Sequence, residues 1–311
     1  MHRRGFAKLG AALLLPMPAI ASGERVRIGW LRAPNDLTTG RARGTLEKAL
    51  AAKGARIEWA GPFPAAAPAL EALNAGSVDI TAGSSTACIA ALAAGIPMVI
   101  FAYQKIAPSG EGILVKADGP IRTLADLRGR SVAVNRGGTG EYLLMRALEK
   151  NGIEAGAVKR VYLSPGDSGA AFSQGHVDAW ATWDPFVAIG VKSYGARVLA
   201  DGAAIGSDNA VTLMASKAFA EKQRGLLKTV FDTCLADNAW AQANKAEAGR
   251  IWTEAMSLPA ELAPVIGENN AVPTRAVSDA DITQIAQIAE WYVSSRIIPR
   301  RPNISEGVIK L

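Results

Sequence analysis

The feature that most constrains this chain is a pattern that it spells twice. LEALNAGSVDITAGS and, later, GAAFSQGHVDAWATW follow one grammar: a helix closes at a glycine (Gly76, Gly175), one residue passes, and Val-Asp (Val78-Asp79, Val177-Asp178) opens a short strand. Five residues past each aspartate that strand should end, at Ser84 and at Trp183. We read this as an internal structural duplication. Around the first copy, RVRIGWL alternates Val26, Ile28 and Trp30 with Arg25, Arg27 and Gly29 in the manner of a strand. RARGTLEKALAAKG then carries Leu46, Ala49, Leu50 and Lys53 at helical spacing and closes at Gly54. ARIEWAG is a second strand and APALEALNAG a second helix. Alternating strands and helices predict an α/β layered fold. Two copies predict two lobes, and open α/β sheets bind ligands at the carboxyl ends of their strands.

The passages between the lobes are also legible. IPMVIFAYQ and EGILVKA read as apolar strands joined by KIAPSG, and RVLADG and NAVTLMAS form a comparable pair around AAIGSD. Two crossings predict a second lobe inserted into the first, with a hinge where the chain crosses. Residues 24–107 and 208–311 would form lobe 1, and residues 108–207 lobe 2. From Lys217 onward the pattern is helical. SDADITQIAQIAEWYVSS sets Ile282, Ile285, Ala289 and Tyr292 on one face behind an N-cap, Ser278, as expected of a helix that buttresses a lobe.

Residues 1–23 form a leader of the secretory kind: basic Arg3, Arg4 and Lys8, an apolar stretch from Leu9 to Ile20, and small Ala19 and Ala21. The stretch is shorter than the roughly 20 residues of a membrane-crossing helix, and Pro16 and Pro18 interrupt it. We expect cleavage and a periplasmic protein. Arg3, Arg4, Phe6 and Lys8 also fit a twin-arginine signal, and a general secretory signal fits too.

The formal charge is +6, but without the leader 31 basic residues face 28 acidic ones, a surplus of three. With no basic run and no aromatic-basic stripe, nucleic acid is not expected as a partner. Histidine is limited to His2 and His176, and cysteine to Cys88 and Cys234. That excludes three-histidine zinc sites and cysteine clusters, and no metal or cofactor is expected. The two cysteines could pair outside the cytoplasm, although their apolar, helix-like surroundings read as buried free thiols. His176, in a helix-to-strand turn, is expected at the surface and without a catalytic role.

Three segments carry the candidate ligand site. In RSVAVNRGGTGEYLLMRALEKNG, a strand runs through a glycine turn (Gly137, Gly138, Thr139, Gly140) into a helix, whose free N–H groups can hold an anion or simply form a capped tight turn. Ser84, Ser85 and Thr86 occupy the same place in the first copy, with the same two readings. AWATWDPF offers Trp183 as a pocket wall or a packing residue, and Asp184 before Pro185 as an N-cap or a cleft residue. A Walker loop and a full dinucleotide fingerprint are both absent from the sequence.

RARGTLEKAL, LEALNAGSVDI, DLRGRSVAVNRGGTGEYLLMRALEKNG and above all GAAFSQGHVDAWATWDPF resemble the sulfonate, taurine and nitrate group of periplasmic solute-binding proteins, most closely the aliphatic sulfonate branch. The resemblance implies the two-lobed type II periplasmic binding protein fold, closure on a small organic anion, and delivery to an ABC permease by a monomer without catalysis. It implies that Ser84, Ser85, Gly138, Thr139, Trp183 and Asp184 line the cleft. The rival reading is an enzyme on the same scaffold, similar to pyrimidine-precursor synthases, for which the sequence offers no suitable lysine, histidine or metal cluster. Departures bear on the ligand. The first strand ends Gly29-Trp30-Leu31-Arg32 where the family commonly has Gly-Tyr-Gln, so Trp30 and Arg32 become candidate contacts. NDLTTG is more polar than the helix start it replaces. Glu141 stands where the branch often has histidine; it could meet the ammonium of taurine, or point outward and merely suit the helix N-terminus.

Overall fold

The computed structural model describes residues 23–311. The leader, apart from Gly23, lies outside the described residues.

Asp79 and Asp178 show how the duplicated pattern builds a sheet. Each accepts a backbone N–H of the neighbouring parallel strand, from Arg27 at 2.8 Å and from Ser131 at 2.8 Å. In return, the N–H of Asp79 donates to Arg27 O at 2.7 Å and that of Asp178 to Ser131 O at 2.9 Å. Gly76 and Gly175, just before them, hold φ at +70° and +77°, which a side chain would strain.

The strands are β1 (Glu24–Leu31), β2 (Ala55–Phe63), β3 (Ile80–Ser84), β4 (Met98–Lys105), β5 (Glu111–Lys116), β6 (Ser131–Val134), β7 (Lys159–Tyr162), β8 (Ala179–Trp183), β9 (Ala196–Asp201), β10 (Ala210–Ser216) and β11 (Thr274–Arg275). They form a six-stranded sheet, β11-β4-β10-β3-β1-β2, and a five-stranded sheet, β7-β6-β8-β5-β9. In the first, β2, β1 and β3 are parallel and β10 runs antiparallel to both its neighbours. In the second, β7, β6 and β8 are parallel and β5 is the antiparallel one. Each sheet thus receives the chain arriving from the other at the same place, beside the strand opened by Val-Asp. Residues 106–110 and 202–209 make the two passages.

One local expectation is corrected. The helix expected over RARGTLEKALAAKG is two, Asp36–Arg43 and Thr45–Ala51, because Gly44 turns left-handed at φ +66° and ends the first. Leu46 and Leu50 are buried as the spacing requires, whereas Lys53 is exposed. The polar NDLTTG segment is buried, and its polar side chains are bonded within the fold. Asp36 accepts from Asn238 at 3.0 Å and Thr274 at 2.6 Å, and Thr39 accepts from the Trp252 indole at 2.8 Å. Burial lifts the Asp36 carboxyl to about 6, against the pull of those two bonds.

Ser278 caps the helix Asp279–Ser294, with Asp281 completing a capping box, as the sequence predicts. Its apolar face does more than buttress one lobe. Ile285, Ala289 and Tyr292 join a cluster that reaches Leu70, Ile100 and Met214 on one side and Val132, Leu144 and Ile153 on the other. Cys88 and Cys234 are free and buried, and burial pushes the Cys88 thiol to about 12. Among the described residues no helix is long and apolar enough to cross a membrane.

Candidate functional site

Six parallel strands, three from each sheet, send their carboxyl ends to one cleft of about 340 Å³. From the first sheet come Leu31–Asn35 after β1, Pro64 after β2 and Ser84 at the end of β3. From the second come Asn135–Thr139 after β6, Leu163–Pro165 after β7, and Trp183 and Asp184 at the end of β8. A ligand there touches both units, as expected for an α/β sheet whose loops at that edge are free of ladder bonds.

Arg32, Ser84, Gly138, Thr139, Trp183 and Asp184 line this cleft. Trp30, Ser85, Thr86, Gly140 and Glu141 do not, and each has a physical reason. Along β1 successive side chains face opposite ways, so Leu31 reaches the cleft while Trp30 turns away and stacks under the Arg41 guanidinium, 4.2 Å from its ring centre. The Ser85 hydroxyl donates to Asn209 Oδ1 at 3.1 Å and accepts the N–H of Ala210 at 3.2 Å. Thr86 Oγ1 pairs with Ser84 Oγ at 2.8 Å, and Ser84 caps the helix Ser85–Ala93 by accepting the N–H of Ala87 at 3.2 Å. The backbone N–H groups of Ser85, Thr86 and Thr139, at the starts of their helices, have no protein acceptor among the described residues.

Glu141 is a support for the glycine turn. Its carboxylate accepts the N–H of Gly137 at 2.8 Å, the Tyr162 hydroxyl at 2.5 Å and the Arg160 guanidinium at 3.0 Å. It is 3% exposed and has its own cation, so the reading in which it meets an ammonium ligand gives way to one in which it holds the loop. Gly140 is packed so closely that a Cβ would lie 2.5 Å from Ala181 O and 2.8 Å from Asn135 Oδ1. Asn135 in turn accepts the N–H of Gly140 at 2.7 Å.

Sequence reasoning missed three participants. Arg136, in the same glycine segment, lines the cleft with its guanidinium 3.7 Å from the centre of the Tyr162 ring. That stacking makes Tyr162 a link between Arg136 and Glu141; burial and the adjacent carboxylate both raise the Tyr162 phenol. Asn269 and Asn270 donate to Asp184 Oδ2 at 2.8 Å and 3.3 Å, and Asn270 also lines the cleft. Nothing local marks these asparagines, which lie in the helix Ala263–Asn270, far along the chain. The Asp184 side chain does not cap at the expected position. Its Oδ1 accepts the N–H of Ala188 at 3.2 Å, while burial raises the carboxyl and these three bonds pull it back.

The ionisable lining is therefore Arg32, Arg136 and a fully hydrogen-bonded Asp184. Arg32 is steadied by donating to Met256 O at 2.7 Å. Lysine, histidine and cysteine are absent from the lining, His176 is exposed elsewhere, and among the described residues no cluster of three His, Cys, Asp or Glu could hold a metal. The uncharged lining is mixed: Asn35, Ser84, Asn135, Ser164 and Asn270 are polar, and Leu31, Leu163, Pro165 and Trp183 are apolar. Trp183 stands edge-on to Phe186, with ring centres 5.8 Å apart. Such a cleft offers cationic, hydrogen-bonding and apolar groups to one ligand.

Comparison with known proteins agrees with this geometry. The NMT1/THI5 like family matches residues 57–248. A protein of Escherichia coli K12 named for binding aliphatic sulfonates is 31% identical, with 98% of this chain and 96% of that protein aligned. The alkanesulfonate-binding protein SsuA from Xanthomonas axonopodis pv. citri, solved bound to MOPS, superposes with a TM-score of 0.87 at 27% identity, covering 94% of this chain and 100% of the other. The periplasmic aliphatic sulphonate binding protein SsuA from Escherichia coli gives 0.81 at 31% identity, covering 93% and 94%. The fold is thus that of the periplasmic binding proteins, and the chain belongs to the NMT1/THI5-like family.

Proposed function

We propose that this protein is the periplasmic solute-binding component of an ABC importer, capturing an aliphatic sulfonate between its two α/β lobes and presenting it, as a monomer, to a membrane permease. The observation that carries the reading is the lining of the cleft. Two arginines and the unpaired helix-start N–H of Thr139 stand ready for an anion, and Leu31, Leu163, Pro165 and Trp183 give the same wall apolar surface. The relatives named for sulfonates support the ligand class, and those named as periplasmic support the location.

An uncharged tail fits better than that of taurine. Placing an ammonium in this cleft requires a free carboxylate, and Glu141 and Asp184 are both committed to protein donors. An unpaired buried charge costs several kcal/mol. Catalysis finds no support either: the lining holds no lysine, histidine or cysteine, its hydroxyls at Ser84, Thr139 and Ser164 are bonded to Thr86 and Ala87, to Asn209 and to Asp167, and the oxygens of Asp184 are occupied.

The experiment is a thermal-shift screen of the purified mature protein against butanesulfonate, hexanesulfonate, taurine, sulfate, nitrate and an aromatic carboxylate, followed by calorimetry. A ligand at one hundred times its Kd adds about 2.7 kcal/mol of stability. Butanesulfonate and hexanesulfonate should shift the transition and taurine should shift it less. Silence from every sulfonate beside a shift with nitrate or the aromatic acid would overturn the assignment. Trp183→Ala should weaken butanesulfonate by about 1.5–3 kcal/mol, the worth of a large apolar contact, and leave sulfate nearly unaffected. Equal losses for both anions would remove Trp183 from the pocket wall.

A further inference from the structure

The second passage between the sheets ends at Asn209, whose side chain is 1% exposed and bonded on every side. Its Nδ2 donates to Thr139 Oγ1 at 3.0 Å and to Glu111 Oε2 at 3.1 Å, and its Oδ1 accepts from the Ser85 hydroxyl at 3.1 Å. Both N–H bonds of the amide are used, so the orientation of the group is fixed by its partners. Those partners belong to different units. Ser85 starts the helix that follows β3 in the first sheet, Thr139 starts the helix that follows β6 in the second, and Glu111 starts β5.

We infer that Asn209 is a positioning residue for ligand capture: it ties the two helix starts that face the cleft to the passage about which the lobes turn, and Glu111 fixes its amide. The inference rests on the anion-binding reading of the cleft. Groups near a pivot move least when lobes swing, so one amide can hold both helix starts in register where bonds farther out could not. The helix starts supply donors to one anion, and a misplacement of either weakens the bond that the other makes.

Glu111 is 3% exposed, and burial lifts its carboxyl to about 7 against bonds from Ser207 and Asn209. Pro108 and Gly202 close in on it through backbone atoms, and the titratable group facing it is Tyr142, from the helix Thr139–Lys150. A carboxyl whose value rises on folding stabilises the fold at low pH, and the contribution is lost as pH climbs through about 7. Ionisation of Glu111 therefore loosens this region while leaving an acceptor for Asn209.

The test compares the wild-type chain with Asn209→Ala, Ser85→Ala and Glu111→Gln by calorimetry with butanesulfonate, small-angle scattering of the ligand-free protein, and thermal melts across pH. We expect Asn209→Ala to weaken butanesulfonate about tenfold or more, as loss of a buried hydrogen-bonded group does. Its ligand-free scattering should show a broader spread of lobe separations. Ser85→Ala cuts the tie from Asn209 to the first sheet, together with the bond from the Ala210 N–H, and should move both readouts the same way by less; it decides the matter if Asn209→Ala does not fold. Glu111→Gln should lose part of the fall in Tm that wild type shows from about pH 5 to about pH 8. Asp36 remains in both proteins, so their difference isolates Glu111. Wild-type affinity and scattering in folded Asn209→Ala would overturn the inference. If butanesulfonate fails to bind the wild type, the sulfonate reading falls, and the ligand-free scattering still decides the role of Asn209.

Discussion

Glu141→Ala should weaken butanesulfonate binding at least tenfold and lower the melting temperature, while leaving the ratio of butanesulfonate to taurine affinity as it was. The carboxylate holds three donors at once, the N–H of Gly137, the Tyr162 hydroxyl and the Arg160 guanidinium. Removing one partner of a buried ion pair costs about 3–5 kcal/mol. Arg160 keeps 30% of its side chain in water, so part of that loss is recovered by solvation, and about 2–3 kcal/mol is the expected effect. For a chain of this size that corresponds to roughly 3–5 °C in Tm. The affinity falls for a second reason. Gly137 sits at φ +64° and loses the acceptor of its N–H, while Tyr162 loses the bond that fixes its ring under Arg136. Both the turn and the cleft arginine are then free to wander, and binding must order them again. Glu141→Gln keeps one acceptor oxygen and should fall between wild type and alanine. A Glu141→Gln protein that loses taurine alone would restore the carboxylate as an ammonium partner, and one that binds every sulfonate as wild type would remove its support role.

The architecture was legible because its signals are periodic and repeated. Val78-Asp79 and Val177-Asp178 each follow a glycine and lead into an apolar strand, and those strands end at Ser84 and Trp183 where the spacing puts them. The strands β7 and β11 were not, because Lys159–Tyr162 is short and only partly buried and Thr274–Arg275 has two residues. In the site, backbone features could be read: the glycine turn and the Ser84 cap are local consequences of local sequence. Side-chain direction could not. Trp30 and Leu31 are adjacent and both apolar, and only the packing of Arg41 on one of them decides which enters the cleft. Glu141 looked like a ligand contact because its partners Arg160 and Tyr162 lie on a strand that the sequence did not reveal. Asn209, Asn269 and Asn270 acquire their roles from residues 70 to 124 positions away, through hydrogen bonds that no window of sequence contains.

Gly140→Ala should cost about 1–3 kcal/mol of stability, toward the upper end of that range, and weaken butanesulfonate in proportion to the loss of the turn. The argument is one of space. A methyl group at this position would meet Ala181 O at 2.5 Å, and a backbone carbonyl in the middle of β8 cannot swing aside as a side chain can. It would also meet Asn135 Oδ1 at 2.8 Å, the atom that accepts the N–H of Gly140 itself. Relief requires the helix Thr139–Lys150 to lift from the sheet, which pulls the unpaired N–H of Thr139 away from the cleft and strains the bond from Asn209 to Thr139 Oγ1. Gly225→Ala is the control. That glycine opens the helix Arg224–Ala243 with open space around its Cβ position, so alanine there should be neutral or stabilise by about 0.4–1 kcal/mol by restricting the unfolded chain. Paired melts of the two variants separate a general dislike of glycine replacement from a close contact. Gly140→Ala melting with Gly225→Ala would mean that the helix start has room to move, and that the glycine turn owes its form to Glu141 and Asn135 alone.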